Sequence, residues 1–287
     1  MNRSVGAGVP EVGTPVPEVV RALAGDADIE PVWRNELGGV TFRVSDRDRN
    51  SAGNRNRDSN RGSDRLSDSG RTREHDVNSD GDCPSDHRVN SDRYIKWQPA
   101  VGDDPERSAD VDLLTEAEKL RWAGRYVTVP TVIDAGVTSE GAYLVTAAID
   151  AIPAVDDRWH DDPETAVRAI ATGLRLLHDS LPVQDCPYVG AWLPAQATVP
   201  EPDRLVVCHG DACVPNTLIT RDGRFAGHVD LARLGVADRW GDLAIATYSI
   251  SWDVNFGRSY DELFFETYGI EPDPARIRAY RDLWDAG

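Results

Sequence analysis

The stretch VVCHGDACVPNTLI, residues 206–219, places a histidine, an aspartate and an asparagine between two apolar runs. Both runs are typical of buried strands, so the polar residues between them fall in a loop beside the core. A buried carboxylate or amide is costly unless it is paired, and a chain that places such groups there is often positioning a metal ion or a proton. Asp211 and Asn216 are therefore the first candidate site residues.

A β-hairpin is predicted directly after this loop, because apolar runs at 217–220 and 225–229 flank the turn sequence TRDGR. Asp230 follows the second run, so the hairpin can bring it back beside Asn216. An amide oxygen and a carboxylate are hard ligands that suit Mg²⁺, which keeps waters and phosphate oxygens as its other ligands. Asp211 then remains to orient or deprotonate a hydroxyl group, which is the residue order of a phosphoryl-transfer site.

Phosphoryl transfer also needs a strand lysine on the phosphates and a helix glutamate that holds this lysine. The chain has only two lysines, Lys96 and Lys119, and Lys96 lies in the predicted strand RYIKW. The apolar spacing predicts a helix at 109–126, and this helix carries both Glu116 and Glu118. The sequence therefore offers a lysine and a glutamate on the two elements that the chemistry needs.

The remaining pattern predicts an α+β fold, with an antiparallel sheet and one inserted helix in the first 150 residues and a mainly helical remainder. Further strands are expected in a hairpin at 29–44, which turns at Gly38 and Gly39, and at 130–138 and 142–149. Further helices are expected at 15–25, 163–180, 241–251, 260–268 and 274–285.

Residues 45–92 interrupt this pattern, since they are almost entirely aspartate, arginine, asparagine, serine and glycine. So few apolar groups do not offset the entropy cost of ordering a chain, and we expect the segment to be disordered. Because a strand resumes at 93–97, the segment is interpreted as an insertion in a hairpin, which loop-closure entropy tolerates.

Composition restricts the partners of the chain. Its formal net charge of −18 repels nucleic acid and anionic membranes and attracts a cationic substrate. The basic residues are almost all arginine, and an acidic, lysine-poor chain is what we expect of a protein kept soluble at high salt. A halophilic source is thus predicted, and a GC-rich genome is the alternative explanation.

No apolar run reaches eighteen residues, so no membrane span is expected, and the first residues lack the apolar core of a signal peptide. The four cysteines, Cys83, Cys186, Cys208 and Cys213, contain no CxxC pair. Neither a disulfide framework nor a zinc ribbon is therefore indicated, and a reducing cytoplasm is the expected location.

HGDACVPN, followed by VDLARLGVADRWGDLA, closely resembles the aminoglycoside phosphotransferase family, especially its 3′-phosphotransferase class. TEAEKLRW resembles the glutamate helix of that family, ELGGVTFRV its nucleotide-covering hairpin, and YGIEPDPARIRAYRDLWD its C-terminal helical region. The resemblance implies a protein-kinase-like fold of two lobes, with a sheet-rich N-lobe at 1–146 and a mainly helical C-lobe at 147–287. ATP is expected to bind between them.

Carried over residue by residue, the resemblance implies a role for each matching position. The roles are Asp211 as catalytic base, Asn216 and Asp230 as magnesium ligands, Lys96 on the phosphates with Glu116 as its partner, Gly38 and Gly39 over the nucleotide, and 143–150 as the hinge at the adenine. His209 is expected to brace the loop, Arg233 to face phosphate or substrate, and Asp285 to supply an acidic substrate contact. Asp238 and Asp242 are expected to be structural.

The predicted function is transfer of the γ-phosphate of ATP, with Mg²⁺, to a hydroxyl group of a small cationic or sugar-like molecule, most simply an aminoglycoside. A kinase of an endogenous sugar or amino alcohol, and a nucleotide-binding protein without transfer activity, are the alternatives. The segment between His178 and His209 is short for the family, which favours the second alternative, whereas Asp211 argues against it. A zinc site made by Cys208, His209, Asp211 and Cys213 is a further alternative on residue types alone.

Overall fold

The computed structural model describes residues 8–11, 13–46, 92–100, 112–190 and 199–286. Its N-terminal part is an antiparallel sheet made by β1 (Asp28–Arg34), β2 (Val40–Ser45), β3 (Arg93–Pro99), β4 (Val132–Val137) and β5 (Gly141–Ala147). The strand order is β1-β2-β3-β5-β4. Two helices accompany the sheet, α1 (Glu18–Ala24) and α2 (Leu113–Ala123).

The two faces of this sheet pack against different helices, because successive side chains of a strand point to opposite faces. On β5, Val145 packs with Val20 of α1 in a small apolar cluster, whereas Leu144 belongs to the main core together with Ala117 of α2. Lys96 lies opposite Leu144 in the β3–β5 register. The sheet therefore presents Lys96 on the face that α2 covers.

Most of the C-terminal part is helical. Its helices are α3 (Asp157–Asp161), α4 (Pro163–Ser180), α5 (Trp240–Ser251), α6 (Asp261–Tyr268) and α7 (Pro274–Ala286). On α4, the fully buried Val167, Ile170, Leu174 and Leu177 form a stripe at helical spacing that faces the main core. Helix α4 packs against α6, and α5 packs against α7.

Five short strands position the loops that carry the candidate site residues. They are β6 (Ile152–Pro153), β7 (Leu205–Cys208), β8 (Thr217–Ile219), β9 (Phe225–His228) and β10 (Gly235–Asp238). Strand β7 pairs with β10, whereas β8 lies between β6 and β9 in a separate small sheet. Two short connections cross between these sheets: residues 209–216, here called the Asp211 loop, and residues 229–234, here called the Asp230 loop.

The expected helices and longer strands of the described ranges are present, with ends that differ by a few residues. The β7–β10 pairing and the short elements α3 and β6 were not predicted, because they are too short for a periodic pattern or pair across a long sequence separation. Most of the segment expected to be disordered, residues 47–91, lies outside the described residues. In the part of the chain that is described, no helix is both long and apolar enough to cross a membrane.

Candidate active site

The Asp211 loop rests on a buried carboxylate of helix α5. Asp242 accepts hydrogen bonds from the backbone amides of His209 at 2.6 Å and Gly210 at 2.9 Å. Its Oδ2 also lies 2.9 Å from Nε2 of the buried His178, whose Nδ1 lies 2.8 Å from the hydroxyl of Tyr268. With these donors the buried carboxylate is satisfied, and it fixes the beginning of the loop.

The pKa of Asp242 lies below its ordinary value although the group is buried. Burial raises this pKa, because it disfavours the charged carboxylate. The hydrogen bond and charge interaction with His178, the interaction with His209 and the hydrogen bond from the Gly210 amide outweigh the burial. Asp242 is therefore ionised at neutral pH and acts as a fixed anchor, in agreement with the structural role expected for it.

The ring of His209 joins the two loops. Its Nδ1 accepts a hydrogen bond from the backbone amide of Asp211 at 3.3 Å, so its Nε2 carries the proton and donates to the carbonyl oxygen of Val229 at 2.9 Å. Val229 directly precedes Asp230 in the chain. His209 thus holds the candidate base near the candidate metal ligand, and its contacts are those of the predicted brace.

Gly210 allows the two loops to approach closely. Its φ of 82° is a left-handed conformation that glycine adopts without strain. A Cβ atom at this position would lie 2.2 Å from the carbonyl oxygen of Arg233 in the Asp230 loop. The glycine of the HGD sequence is therefore required both by the turn and by the contact between the loops.

Asn216 lies at the end of the Asp211 loop. Its Nδ2 donates to the carbonyl oxygen of Asp211 at 2.9 Å, and its own backbone carbonyl accepts from the amide of Val229 at 3.0 Å. The hairpin thus returns the chain to Asn216, as the turn spacing predicted. Because the amide nitrogen is used within the loop, the side-chain oxygen of Asn216 is the atom that can accept a cation.

Lys96 lies between two carboxylates. Its Nζ is 2.7 Å from Oε1 of Glu116 and 2.9 Å from Oδ1 of Asp230. Burial lowers the pKa of Lys96, but Asp230 and Glu116 raise it by more, so Lys96 stays an ammonium group at neutral pH. Glu116 is 2% exposed, whereas Glu118 is exposed. The glutamate that contacts Lys96 is therefore the one that the resemblance favours.

Asp230 offers atoms of the kind that a magnesium ion takes. Its φ of 62° is left-handed, and among the described residues Asp230 is the one non-glycine residue with a positive φ, a strain typical of functional sites. Its side chain is 44% exposed, and contact with Lys96 uses only one carboxylate oxygen. The other oxygen, together with the side-chain oxygen of Asn216, fits the hard-ligand chemistry of Mg²⁺.

The second lysine of the chain also contacts the Asp230 loop. Lys119 is 5% exposed and lies one helical turn after Glu116 on α2. Its Nζ donates to the carbonyl oxygen of Ala232 and lies 5.4 Å from the ring centroid of Tyr188. Burial lowers the pKa of Lys119. Helix α2 therefore holds the Asp230 loop by two routes, through Glu116 and Lys96 and directly through Lys119.

The structure places Gly38 and Gly39 in the turn between β1 and β2, as predicted. Gly38 has a φ of 83°, and its amide donates to the carbonyl oxygen of Asn35 at 3.2 Å. The amide of Asn35 donates to the carbonyl oxygen of Gly39 at 2.9 Å. Gln98, two residues after Lys96 on β3, contacts this turn.

Helix α7 lies next to the Asp230 loop. The guanidinium of Arg233 lies 5.7 Å from the ring centroid of Trp284. The neighbouring Asp285 accepts a hydrogen bond from the hydroxyl of Tyr248 on α5 at 3.2 Å, and the guanidinium of Arg281 lies 5.2 Å from the Tyr248 ring centroid. Arg233 is thus part of the Asp230 loop, whereas Asp285 contacts α5.

The structure does not support a zinc site in the Asp211 loop. Within the described residues, the histidine, cysteine and acidic side chains that come close enough to hold a metal ion are those of His178, Cys208 and Asp242. Only Cys208 of the four candidate zinc ligands named from the sequence belongs to this group. His178 and Asp242 are buried and hydrogen-bonded to each other. We interpret it as the support of the loop.

Three contacts at the site were missed from the sequence: the anchoring of the Asp211 loop by Asp242, the contact of Lys119 with Ala232, and the contact of Gln98 with the glycine turn. A signal for Lys119 was available, because the chain has two lysines and both lie on predicted site elements. For Asp242, the motif VDLARLGVADRWGDLA indicated a structural role but not its partners, whereas the sequence around Gln98 carries no comparable signal.

Comparison with known proteins agrees with this geometry. Residues 184–280 match the model of the phosphotransferase enzyme family. The chain is 36% identical over 232 positions to an aminoglycoside 3′-phosphotransferase of Streptomyces fradiae, covering 67% of this chain and 84% of that protein. It is 34% identical over 235 positions to a streptomycin 3″-kinase of Streptomyces griseus, covering 67% and 83%.

A solved structure extends the comparison to the fold. The aminoglycoside phosphotransferase APH(3″)-Id from Streptomyces rimosus, in complex with ADP and streptomycin, superimposes with a TM-score of 0.57 at 25% identity. The superposition covers 92% of this chain and 94% of that one. The predicted α+β, protein-kinase-like fold is therefore confirmed.

Proposed function

Because the chain belongs to the aminoglycoside phosphotransferase family and is a phosphotransferase that acts on hydroxyl groups, we propose that it transfers the γ-phosphate of ATP to a hydroxyl group of an aminoglycoside. We assign the site residues the roles that the sequence analysis predicted. Asp211 acts on the hydroxyl, Lys96 and Glu116 act on the phosphates, and Asn216 and Asp230 hold Mg²⁺.

The observation that carries the proposal is the contact of Lys96 with both Glu116 and Asp230. It places an ammonium group from the sheet next to the Asp230 loop, which His209 ties to the Asp211 loop. A cation for the phosphates, oxygen ligands for a metal and a carboxylate for a hydroxyl proton therefore lie on adjoining segments. These are the parts that phosphoryl transfer requires, since catalysis there is mainly positioning and charge stabilisation.

In the proposed reaction the acceptor hydroxyl oxygen forms a bond to the γ-phosphorus, while the bond from that phosphorus to the β-phosphate oxygen breaks and ADP leaves. The hydroxyl proton passes to the carboxylate of Asp211. Lys96 stays protonated and binds phosphate oxygens, and Glu116 keeps it in place. When bound, Mg²⁺ neutralises the charge on the phosphates.

We propose a cationic acceptor because the net charge of −18 attracts cations. The two named relatives, an aminoglycoside 3′-phosphotransferase and a streptomycin 3″-kinase, differ by only two percentage points in identity to this chain. The acceptor panel therefore has to include both neomycin or kanamycin and streptomycin, together with simple sugars and amino alcohols.

The test is ADP release in a coupled assay with ATP and Mg²⁺, at low and at molar KCl. We expect turnover that depends on an aminoglycoside, and a kcat lowered at least about 100-fold by Asp211→Asn, because general acid–base groups contribute about 10²–10⁴ in rate. Asp222→Asn, in the exposed turn between β8 and β9, is the matched control and keeps full activity.

Turnover with simple sugars or amino alcohols alone would replace the aminoglycoside by an endogenous acceptor. Thermal stabilisation by ATP and Mg²⁺ without turnover on any acceptor would contradict the proposal and support the nucleotide-binding alternative.

A further inference from the structure

The turn between β1 and β2, residues 35–39, is closed by the side chain of its first residue. Oδ1 of Asn35 accepts hydrogen bonds from the backbone amides of Leu37 at 3.0 Å and Gly39 at 2.7 Å. The backbone amide of Asn35 donates in return to the backbone carbonyl oxygen of Gly39 at 2.9 Å. An asparagine that bonds to its own turn fixes the backbone locally. The turn therefore has a defined shape of its own.

Gln98 fastens this turn to strand β3. Nδ2 of Asn35 donates to Oε1 of Gln98 at 2.8 Å, and Nε2 of Gln98 donates to the carbonyl oxygen of Leu37 at 3.2 Å. Gln98 is 3% exposed, so both hydrogen bonds form largely out of water, where an unpaired amide is costly. Because Gln98 is two residues after Lys96, both side chains leave the same face of β3.

Gly39 leaves the space that this fastening needs. A Cβ atom at residue 39 would lie 2.1 Å from Oε1 of Gln98 and 2.6 Å from Nδ2 of Asn35. Either contact is closer than real Cβ atoms come to such neighbours. The second glycine of the turn is thus explained by its approach to the Gln98–Asn35 pair.

We propose that Gln98 is a positioning residue for the nucleotide, which holds the turn 35–39 at a fixed place relative to Lys96. Lys96 and the turn are then parts of one rigid unit, and nucleotide binding does not have to order a mobile cover. Preorganisation of this kind increases affinity by removing the entropy cost of ordering a loop. The inference rests on the proposed function, and it assigns Gln98 and Asn35 roles that act on nucleotide binding rather than on chemistry.

The test compares the wild-type protein with Gln98→Met, which keeps the length of the side chain but makes no hydrogen bonds. We expect the KM for ATP to rise about tenfold, since an unsatisfied buried polar group costs enough to change an equilibrium by that order. The kcat stays within about threefold and the KM for the acceptor is unchanged. Gln184→Met, at an exposed glutamine in the 183–185 turn, is the matched control.

Asn35→Ala removes the other half of the network and leaves the buried interior of the sheet intact. It should raise the KM for ATP by a similar factor, and the double variant should be less than additive because both residues belong to one network. Hydrogen exchange of the Leu37 and Gly39 amides, measured without nucleotide, should be faster in both variants. Asn35→Ala keeps the proposal testable if Gln98→Met does not fold.

An unchanged KM for ATP in both variants, or faster exchange without any change in KM, would overturn the proposal. So would an equal loss of kcat for both variants with no change in KM, because that result places Gln98 in the chemistry. If the wild-type protein neither binds ATP nor transfers phosphate, the proposed function fails instead, and the exchange rates of the turn still report whether Gln98 orders it.

Discussion

The Asp211 loop and the Asp230 loop lie side by side, but they are held in opposite ways. The Asp211 loop is held from within the C-terminal part, by backbone amides that donate to the buried Asp242. The Asp230 loop is held from the sheet side, by the ammonium groups of Lys96 and Lys119. One loop is anchored by a buried anion and the other by cations that belong to different secondary-structure elements.

The difference shows which parts of the site depend on one another. The geometry of the Asp211 loop is complete once α5 and the short strands have packed. The geometry of the Asp230 loop also depends on where β3 and α2 lie, because they carry the lysines that contact it. A displacement of α2 would therefore disturb Asp230 and leave Asp211 and Asn216 in place.

The largest effect is expected from Asp242→Asn, which breaks the anchor of the Asp211 loop. The carboxylate accepts three contacts, from two backbone amides and from His178, and an amide group places a donor against at least one of them. Removing one partner from a buried hydrogen-bond network lowers the unfolding free energy several times more than substituting an exposed residue does. We therefore expect a loss of about 3 kcal/mol. Urea denaturation measures it, with the exposed Asp282→Asn as control.

The same variant also changes how the unfolding free energy depends on pH in acidic solution. Folding holds the pKa of Asp242 below its ordinary value of 3.8, so the wild-type carboxylate contributes stability above about pH 4 that is lost as pH falls through the lower folded value. Asp242→Asn should remove this part of the acid destabilisation. A variant as stable as the wild type at pH 7 would show that the loop has no need of the anchor.

A medium effect is expected from Lys119→Met, which breaks the direct hold of α2 on the Asp230 loop. The candidate base is untouched, so we expect kcat/KM to fall about tenfold, the change that roughly 1.4 kcal/mol of lost positioning produces, with a higher Mg²⁺ requirement. Lys119→Arg keeps a cationic donor and should restore most of the activity.

The matched control for this prediction is Arg121→Met, which removes an exposed basic side chain from the same helix. Steady-state kinetics at several Mg²⁺ concentrations distinguish the variants. Equal losses in Lys119→Met and Arg121→Met would mean that helix charge, and not the contact with Ala232, sets the position of the loop.

The smallest effect at neutral pH is expected at His228, which lies where the two loops meet. His228 is buried, its ring centroid is 5.4 Å from that of His209, and its Nε2 has no hydrogen-bond partner among the described residues. Burial, together with His209, lowers the pKa of His228 to about 3 from an ordinary 6.5. The unfolded chain therefore binds one more proton than the folded chain between these values, and stability decreases as pH falls through that window.

His228→Gln should remove up to about 1.4 kcal/mol per pH unit from the slope of unfolding free energy between pH 6 and 4, with little change at pH 7. Chemical denaturation at three pH values is sufficient to measure it. An identical slope in the variant would mean that His228 is protonated in the folded protein. The fold would then not depend on a neutral imidazole at this position.

The sequence predicted those parts of the site that depend on residue order. The backbone carbonyl of Asn216 accepts from the amide of Val229, directly before Asp230, because a short hairpin returns the chain there. Lys96 meets Glu116 because a strand and the following helix carry them in the expected order. Their contacts are present in the structure, while their catalytic roles remain predictions. The fold class could be predicted for the same reason, since long periodic segments determine it.

The remaining contacts depend on tertiary packing that no local pattern encodes. The anchor from Asp242 to His209 spans 33 residues, and the contact from Lys119 to Ala232 spans 113. The β7–β10 pairing joins strands of four residues each, too short for a periodic signal. From the sequence alone Gln98 is an ordinary strand residue, and its role is visible only when the structure shows its contacts with the turn 35–39.

Because the chain has only two lysines, it carries very few primary amines. Besides the amino terminus, a reagent that labels primary amines has only Lys96 and Lys119 to modify, and both ammonium groups are engaged at the border between the sheet and the Asp230 loop. Lys119 is 5% exposed, so the rate at which it takes up label in the folded protein reports how often this border opens. Mass spectrometry of proteolytic fragments separates this label from that on Lys96 and the amino terminus, without any engineered probe.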